Sequence, residues 1–271
     1  MPFARVRDLD MYYEQHGAGP RLLYISGTGG DLRNAPRVFD GAIAPHFDLL
    51  SFDQRGLGQT SKPESPYTMA DYADDAAALL EVAGWERCLL MGVSFGGMVA
   101  QEVALRHPQR FERVVLACTS SGGPGGISYP LHELEPMPPA ERAVFRLDIS
   151  DRRRDKAWQA ANPDTVRQLT DAEVAASAAR AADPAKARGY HGQLKARAAH
   201  DTYDRLPSLR MPVFLCGGNY DRQAPPENLR VLQERITGSR LEFFEGGHGF
   251  LREDPRAPQR VIAFLRGELD D

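Results

Sequence analysis

The chain has 271 residues, 42% of them hydrophobic and 26% charged, which is the balance of a folded α/β domain with a large core and room for an insertion. A formal net charge of −4 gives no electrostatic reason to expect nucleic acid or an anionic membrane as a partner. No apolar run exceeds six residues, too short to span a bilayer, and Arg5, Arg7, Asp8 and Asp10 leave no apolar stretch at the start, so no secretory signal is expected.

Two short extended segments open the chain, at residues 3–6 and 11–15, joined by polar residues that suit a turn. Arg21-Leu22-Leu23-Tyr24-Ile25 reads as an apolar strand ending on Ser26-Gly27-Thr28-Gly29-Gly30-Asp31, and a helix is expected over 34–44. Residues 47–52 form the next strand, closing on Asp53-Gln54-Arg55-Gly56-Leu57-Gly58. Thr68 caps a helix that runs through Tyr72, Leu79 and Leu80 to Gly84, with Asp71 near its positive end. Residues 88–91 are a strand that feeds Gly92-Val93-Ser94-Phe95-Gly96; the helix beyond uses Val99, Val103 and Leu105 and stops at His107-Pro108. Residues 114–118 are the next continuous apolar strand.

Strands apolar on both faces and alternating with helices argue for a parallel sheet covered on both sides, with its site in the loops at the strands' carboxyl ends. From Ser120 onward the pattern changes: glycine and serine are dense, prolines follow, and 140–206 is helical in composition with candidate helices at 141–147, 153–161, 164–169, 171–182 and 185–200. The βα rhythm resumes with a strand at 213–216, a helix that starts at Pro225-Pro226 and buries Leu229, Leu232 and Ile236, a strand at 241–244, and a last helix carrying Val261, Ile262, Phe264, Leu265 and Leu269. This divides the chain into a first core part (1–123), an inserted helical lid (124–206) and a second core part (207–271); the alternative is a string of surface helices that cover nothing. The lid reading is favoured because the insertion leaves the sheet at a strand's carboxyl end. No internal repeat is present. Cys88, Cys118 and Cys216 are odd in number and lie in strands expected to be buried, which suits free thiols in a reducing compartment, the cytoplasm.

A serine between glycines at a strand-to-helix reversal has its oxygen lifted clear of the sheet, above the positive end of a helix. Its hydroxyl becomes a nucleophile only when a base takes the proton, usually a histidine whose tautomer is fixed by a carboxylate. Ser94 at this turn, Asp221 after one later strand and His248 in Glu245-Gly246-Gly247-His248-Gly249 after the final strand meet those needs, in the chain order serine, aspartate, histidine.

The chain resembles α/β-hydrolase-fold enzymes, close in style to carboxylesterases and 3-oxoadipate enol-lactonases, over nearly everything outside the insertion. The residues that carry the resemblance are Ser26-Gly27-Thr28-Gly29-Gly30, Phe52-Asp53-Gln54-Arg55-Gly56-Leu57-Gly58, Gly92-Val93-Ser94-Phe95-Gly96-Gly97, Gly217-Gly218-Asn219-Tyr220-Asp221 and Gly246-Gly247-His248-Gly249. It implies an α/β-hydrolase fold: a mostly parallel central sheet flanked by helices, with an inserted helical lid. It also implies a catalytic set of Ser94, Asp221 and His248, with the backbone amides of Thr28 and Phe95 as oxyanion hole. Many relatives have His-Gly where this chain has Ser26-Gly27; the hole is built from backbone amides and does not depend on that side chain.

Other residues invite competing readings. Asp201, Asp204 and Asp254 rival Asp221 as the acid; some relatives take the acid from the strand before the lid, where this chain has only Thr119, Ser120 and Ser121. Asp53 and Arg55 are read as shaping their own loop. Residues 27–30 lack the Gly-Lys-Ser/Thr of a phosphate loop. Arg152-Arg153-Arg154 is read as a solvated helix face rather than a carboxylate binder. His191 and His200 lack metal-ligand spacing, so neither metal nor cofactor is implied. Trp158, Tyr190 and Met137 are candidates for an acyl pocket, with packing within the lid as the plainer account.

The expectation is thus a cofactor-free serine hydrolase of a small-molecule ester or lactone. Carbon–carbon bond hydrolysis, acyl transfer and perhydrolysis stay open on the same residues, as does a ligand-binding or signalling protein of this fold. Dehalogenation is disfavoured, since it needs an aspartate in place of Ser94. Oligomeric state is not legible.

Overall fold

Successive side chains of a strand point to opposite faces, and in this chain both faces are apolar. The computed structural model, which describes residues 3–64 and 66–269, uses both. Leu23, Leu90, Val114, Leu116 and Leu215 point to one face, packed with α1 (Met69–Val82), α2 (Phe95–Arg106) and α7 (Pro226–Arg235). Leu22, Leu89, Met91, Val115 and Phe214 point to the other, packed with Val261, Phe264 and Leu265 of α9 (Arg256–Leu265).

The strands are β1 (Phe3–Val6), β2 (Leu9–His16), β3 (Arg21–Ile25), β4 (Asp48–Phe52), β5 (Cys88–Val93), β6 (Phe111–Ala117), β7 (Val213–Gly218) and β8 (Arg240–Phe244). They form one eight-stranded sheet in the order β1-β2-β4-β3-β5-β6-β7-β8. β1 and β2 pair antiparallel, as do β2 and β4; every later pairing is parallel. The loops after β3, β4, β5, β7 and β8 therefore open at the same edge, where ligands bind in such sheets.

Thr68 caps α1 as expected: its Oγ1 accepts from the amide of Asp71 and the Asp71 carboxylate returns a bond to the Thr68 amide. The helix expected over 34–44 does not form. Pro36, Gly41 and Pro45 interrupt it, and only single turns remain at Val38–Asp40 and Ala44–His46. Cys88, Cys118 and Cys216 are free and buried.

Between β6 and β7 lie α3 (Pro139–Ser150), α4 (Lys156–Ala161), α5 (Pro163–Ala181) and α6 (Pro184–Ala198). The segments 164–169 and 171–182, read as two helices, are one: nothing in Thr170-Asp171 breaks it. Arg153–Asp155 precede the helix expected over 153–161, which starts at Lys156 because the Asp155 side chain caps it. This insertion has an apolar cluster of its own, Leu131, Leu134, Ile149 and Leu194, flanked by Tyr129, Met137, Phe145 and Tyr190. It also rests on the strand-end loops. Arg188 donates to the Lys62 carbonyl at 2.9 Å, and the Gln193 Oε1 accepts from the Gly29 amide at 2.8 Å. Among the described residues no helix is long and apolar enough to cross a membrane.

Candidate active site

The reversal from β5 into α2 is tight enough to exclude side chains. A Cβ on Gly92 would lie 2.2 Å from the Gly96 carbonyl oxygen, and one on Gly96 would lie 2.0 Å from that of Ile25. Between them Ser94 adopts φ 56°, ψ −117°, outside the usual regions for a non-glycine residue and costing of order 1–3 kcal/mol. The surroundings hold it there: its amide donates to the Ala117 carbonyl at 2.8 Å and its carbonyl accepts from Thr119 Oγ1 at 2.9 Å.

His248 follows β8. Its amide donates to the Ser150 carbonyl at 2.6 Å, so the insertion helps fix the loop that carries it. The ring spans two partners: Nδ1 lies 2.6 Å from Asp221 Oδ2 and Nε2 lies 2.9 Å from Ser94 Oγ. A carboxylate accepts only, so Nδ1 carries the proton and Nε2 offers its lone pair to the serine hydroxyl. Asp221 is oriented in turn, its Oδ1 accepting from the amides of Gln223 at 2.8 Å and Ala224 at 2.9 Å. The rivals for the acid are occupied elsewhere: Asp201 accepts from the Tyr203 amide, Asp204 faces Arg235 from an exposed position, and Asp254 is bound to Arg256 and the Glu245 amide.

Burial opposes charge on His248, but the Cys118 sulfur and the Asp221 carboxylate outweigh it, and the imidazole is raised above its ordinary value. Cys118 Sγ lies within 4.8 Å of the ring and of the Asp221 carboxylate, its thiol donating to the His248 carbonyl at 3.7 Å. Cys118, Asp221 and His248 are also the one group of potential metal ligands among the described residues. The 2.6 Å Nδ1–Oδ2 contact is a direct hydrogen bond and leaves no room for an ion with metal–ligand bonds of about 2 Å.

A cavity of about 580 Å³ opens on these groups. Gly27, Thr28, Ser94, Gln223 and His248 line its core side; Ala143, Arg146, Leu147, Leu169, Ala172 and Glu173 line it from the insertion. The 26–30 loop is fixed from both sides, by Gln54 donating to the Ser26 carbonyl at 2.8 Å and by Gln193 holding the Gly29 amide. The Thr28 hydroxyl is buried without a protein partner.

Other residues named from sequence separate clearly. Asp53 accepts from the amides of Leu32 at 2.7 Å and Gln59 at 2.8 Å, tying its own loop to the segment after Gly30. Arg55 turns away, paired with Asp8 and Asp75. Arg152 and Arg153 stack on Tyr220 in a turn and not on a helix face, while Arg154, paired with Glu253 at 2.7 Å, reaches the cavity wall. None of the three expected pocket residues lines the cavity at Ser94. Met137 and Tyr190 join the insertion's own cluster and line a separate cavity of about 270 Å³, and Trp158 lies beneath Arg154. His191 pairs with Glu135 at 2.9 Å on the surface.

Sequence reasoning missed Gln223. Its Nε2 lies 2.7 Å from His248 Nε2, the nitrogen that also faces Ser94. The available signal was position: a polar side chain two residues after Asp221 points back from the turn that Asp221 itself closes.

A family model described as "alpha/beta hydrolase fold" matches residues 20–255. The chain is 28% identical over 259 residues to the poly(3-hydroxyalkanoate) depolymerase of Ectopseudomonas oleovorans, spanning 91% of this chain and 84% of that one. It is 24% identical over 261 residues to 3-oxoadipate enol-lactonase 2 of Acinetobacter baylyi, spanning 94% and 92%. Among solved structures, the enol-lactonase from Burkholderia xenovorans LB400 superposes with a TM-score of 0.76 at 25% identity, over 98% of this chain and 100% of that one.

Proposed function

The chain belongs to the alpha/beta hydrolase fold family, and we propose that it hydrolyses a carboxylic ester or lactone through an acyl-enzyme on Ser94. The observation that carries this reading is the unbroken run from Ser94 Oγ to His248 at 2.9 Å and on to Asp221 at 2.6 Å, opening on a cavity. Two relatives named for opening ester-type bonds, a depolymerase and an enol-lactonase, support the reaction class.

In this reading His248 Nε2 takes the hydroxyl proton as Ser94 Oγ attacks the carbonyl carbon, and the amides of Thr28 and Phe95 receive the oxyanion. Each such donor is worth about 3–4 kcal/mol of transition-state stabilisation. The imidazolium then protonates the leaving alkoxide oxygen, which in a lactone stays attached as the far end of the opened ring. Water enters, gives its proton to His248 and attacks the acyl carbon, and the same proton returns to Ser94 as the acid leaves. Asp221 keeps the ring in the tautomer that faces the serine and stabilises the imidazolium.

Residues 124–206 act as the lid in this scheme. Support comes from the contacts of Arg188 and Gln193 with strand-end loops, and from Ala143, Leu147, Leu169 and Ala172, which give the cavity an apolar patch beside Arg146 and Glu173. That patch suits an acyl chain.

Hydrolysis of p-nitrophenyl esters of graded chain length, together with several lactones, tests the reading. Ser94→Ala is expected to lower turnover on the best of them by on the order of 10⁶. A variant that retains most of the activity contradicts it.

A further inference from the structure

A third, smaller cavity of about 50 Å³ lies between the end of α6, the stretch after β6 and the segment around Ser128. Ser120, Ser128, His132, Arg197 and His200 are among its walls, and it shares no lining residue with the cavity at Ser94. Arg197 is only 5% exposed. Its Nη1 donates to the Tyr129 carbonyl at 2.6 Å, while its Nε and Nη2 are buried with no hydrogen-bond partner. No aspartate or glutamate lines the cavity, and among the described residues none forms an ion pair with Arg197. The guanidinium cannot shed its charge as other buried groups do, although burial pulls it down to about 10. A buried cation of this kind calls for an opposite charge beside it.

Other polar side chains line the same cavity. The Nδ1 atoms of His132 and His200 are both buried and unpartnered. His200 Nε2 donates to the Ser120 carbonyl at 3.2 Å, so Nδ1 carries a lone pair, and burial pulls the ring down to about 4 and keeps it neutral. Ser120 Oγ and Ser128 Oγ lie 3.1 Å apart, and Ser120 Oγ accepts from the Ser128 amide at 3.2 Å. One mutual hydrogen bond uses a single hydroxyl proton, so the second is left to turn toward the cavity. The volume suits a halide-sized ion or a few waters, and nothing larger.

We propose that this cavity is a binding site for a small inorganic monoanion of halide size, held by Nε and Nη2 of Arg197 and by a hydroxyl of the Ser120–Ser128 pair. The ion neutralises Arg197 where α6 returns to the core. It binds the folded chain alone and so stabilises it. The site is independent of the chemistry at Ser94.

Two measurements on the full chain test this. Thermal unfolding is followed at constant ionic strength while sodium gluconate is exchanged for sodium chloride or bromide. The expected result is a saturable rise of about 2–4 °C, absent in Arg197→Met. Crystals of the unaltered protein grown in bromide are expected to show an anomalous peak against Arg197, which decides the matter even where Arg197→Met does not fold. The same unfolding temperature in all three salts, or water at the site with no anomalous signal, overturns the proposal.

Discussion

Two donors meet one lone pair at Nε2 of His248: the Ser94 hydroxyl at 2.9 Å and the Gln223 amide at 2.7 Å. Only the neutral ring can accept either bond. The neutral ring is also the form that takes the serine proton, so hydrolysis falls as pH drops through the His248 value. The Cys118 sulfur and Asp221 outweigh burial and place that value above 6.5, the usual one for histidine, and the acid limb of kcat/KM is expected there. A bond donated by Gln223 favours the neutral form and lowers the limb. Gln223→Leu is therefore expected to move the limb upward, read from kcat/KM profiles of the two proteins. A downward move contradicts this and means that the carboxamide oxygen faces an imidazolium N–H instead. The Ser94, Asp221 and His248 positions were legible because glycine-rich turns at strand ends announce them. Gln223 was not, because its role depends on how a loop returns and no local pattern marks that.

Helix α6 is seated on the strand-end loops by backbone contact. A Cβ on Gly189 would lie 1.9 Å from the Gly56 carbonyl oxygen and 2.9 Å from the Gly56 Cα, and backbone there cannot move aside as a flexible side chain does. Gly189→Ala is expected to lift α6 from the 53–58 loop, speeding proteolytic cleavage within 124–206 and raising KM more than it changes kcat. Unaltered cleavage and KM contradict this account of how the insertion is held. At this scale strands were read closely, since β3 and β5–β7 are apolar on both faces and leave little choice of element. The insertion was read less well. Tyr190 and Met137 serve its own cluster with Leu131 and Leu194, and composition cannot tell an aromatic that packs within an insertion from one that faces a ligand. Residues 34–44 misled in another way: Phe39 and Ile43 carry helical spacing, but Pro36, Gly41 and Pro45 decide the backbone.

Across the whole molecule, the antiparallel edge is joined to the core by a charge cluster centred on the buried Arg55 and Asp75. Arg55 binds Asp75 in bidentate fashion at 2.8 Å and reaches Asp8 at 2.7 Å, while Arg7 also binds Asp75 at 2.8 Å. Asp75 is 1% exposed, so Asp75→Asn leaves Arg55 buried with half its partners; a loss of about 3 kcal/mol in urea unfolding is expected, and a change below about 0.5 kcal/mol contradicts it. This cluster keeps the 53–58 loop, α1 and the β1–β2 hairpin in register beneath the edge where the site opens. The central claim is that this frame presents Ser94 as an activated nucleophile. Labelling with a fluorophosphonate, followed by peptide mass spectrometry, tests it most directly. The account predicts a single covalent adduct on the peptide that contains Ser94, absent from Ser94→Ala. An unlabelled Ser94 in a protein that still hydrolyses esters, or an adduct on another residue, contradicts it.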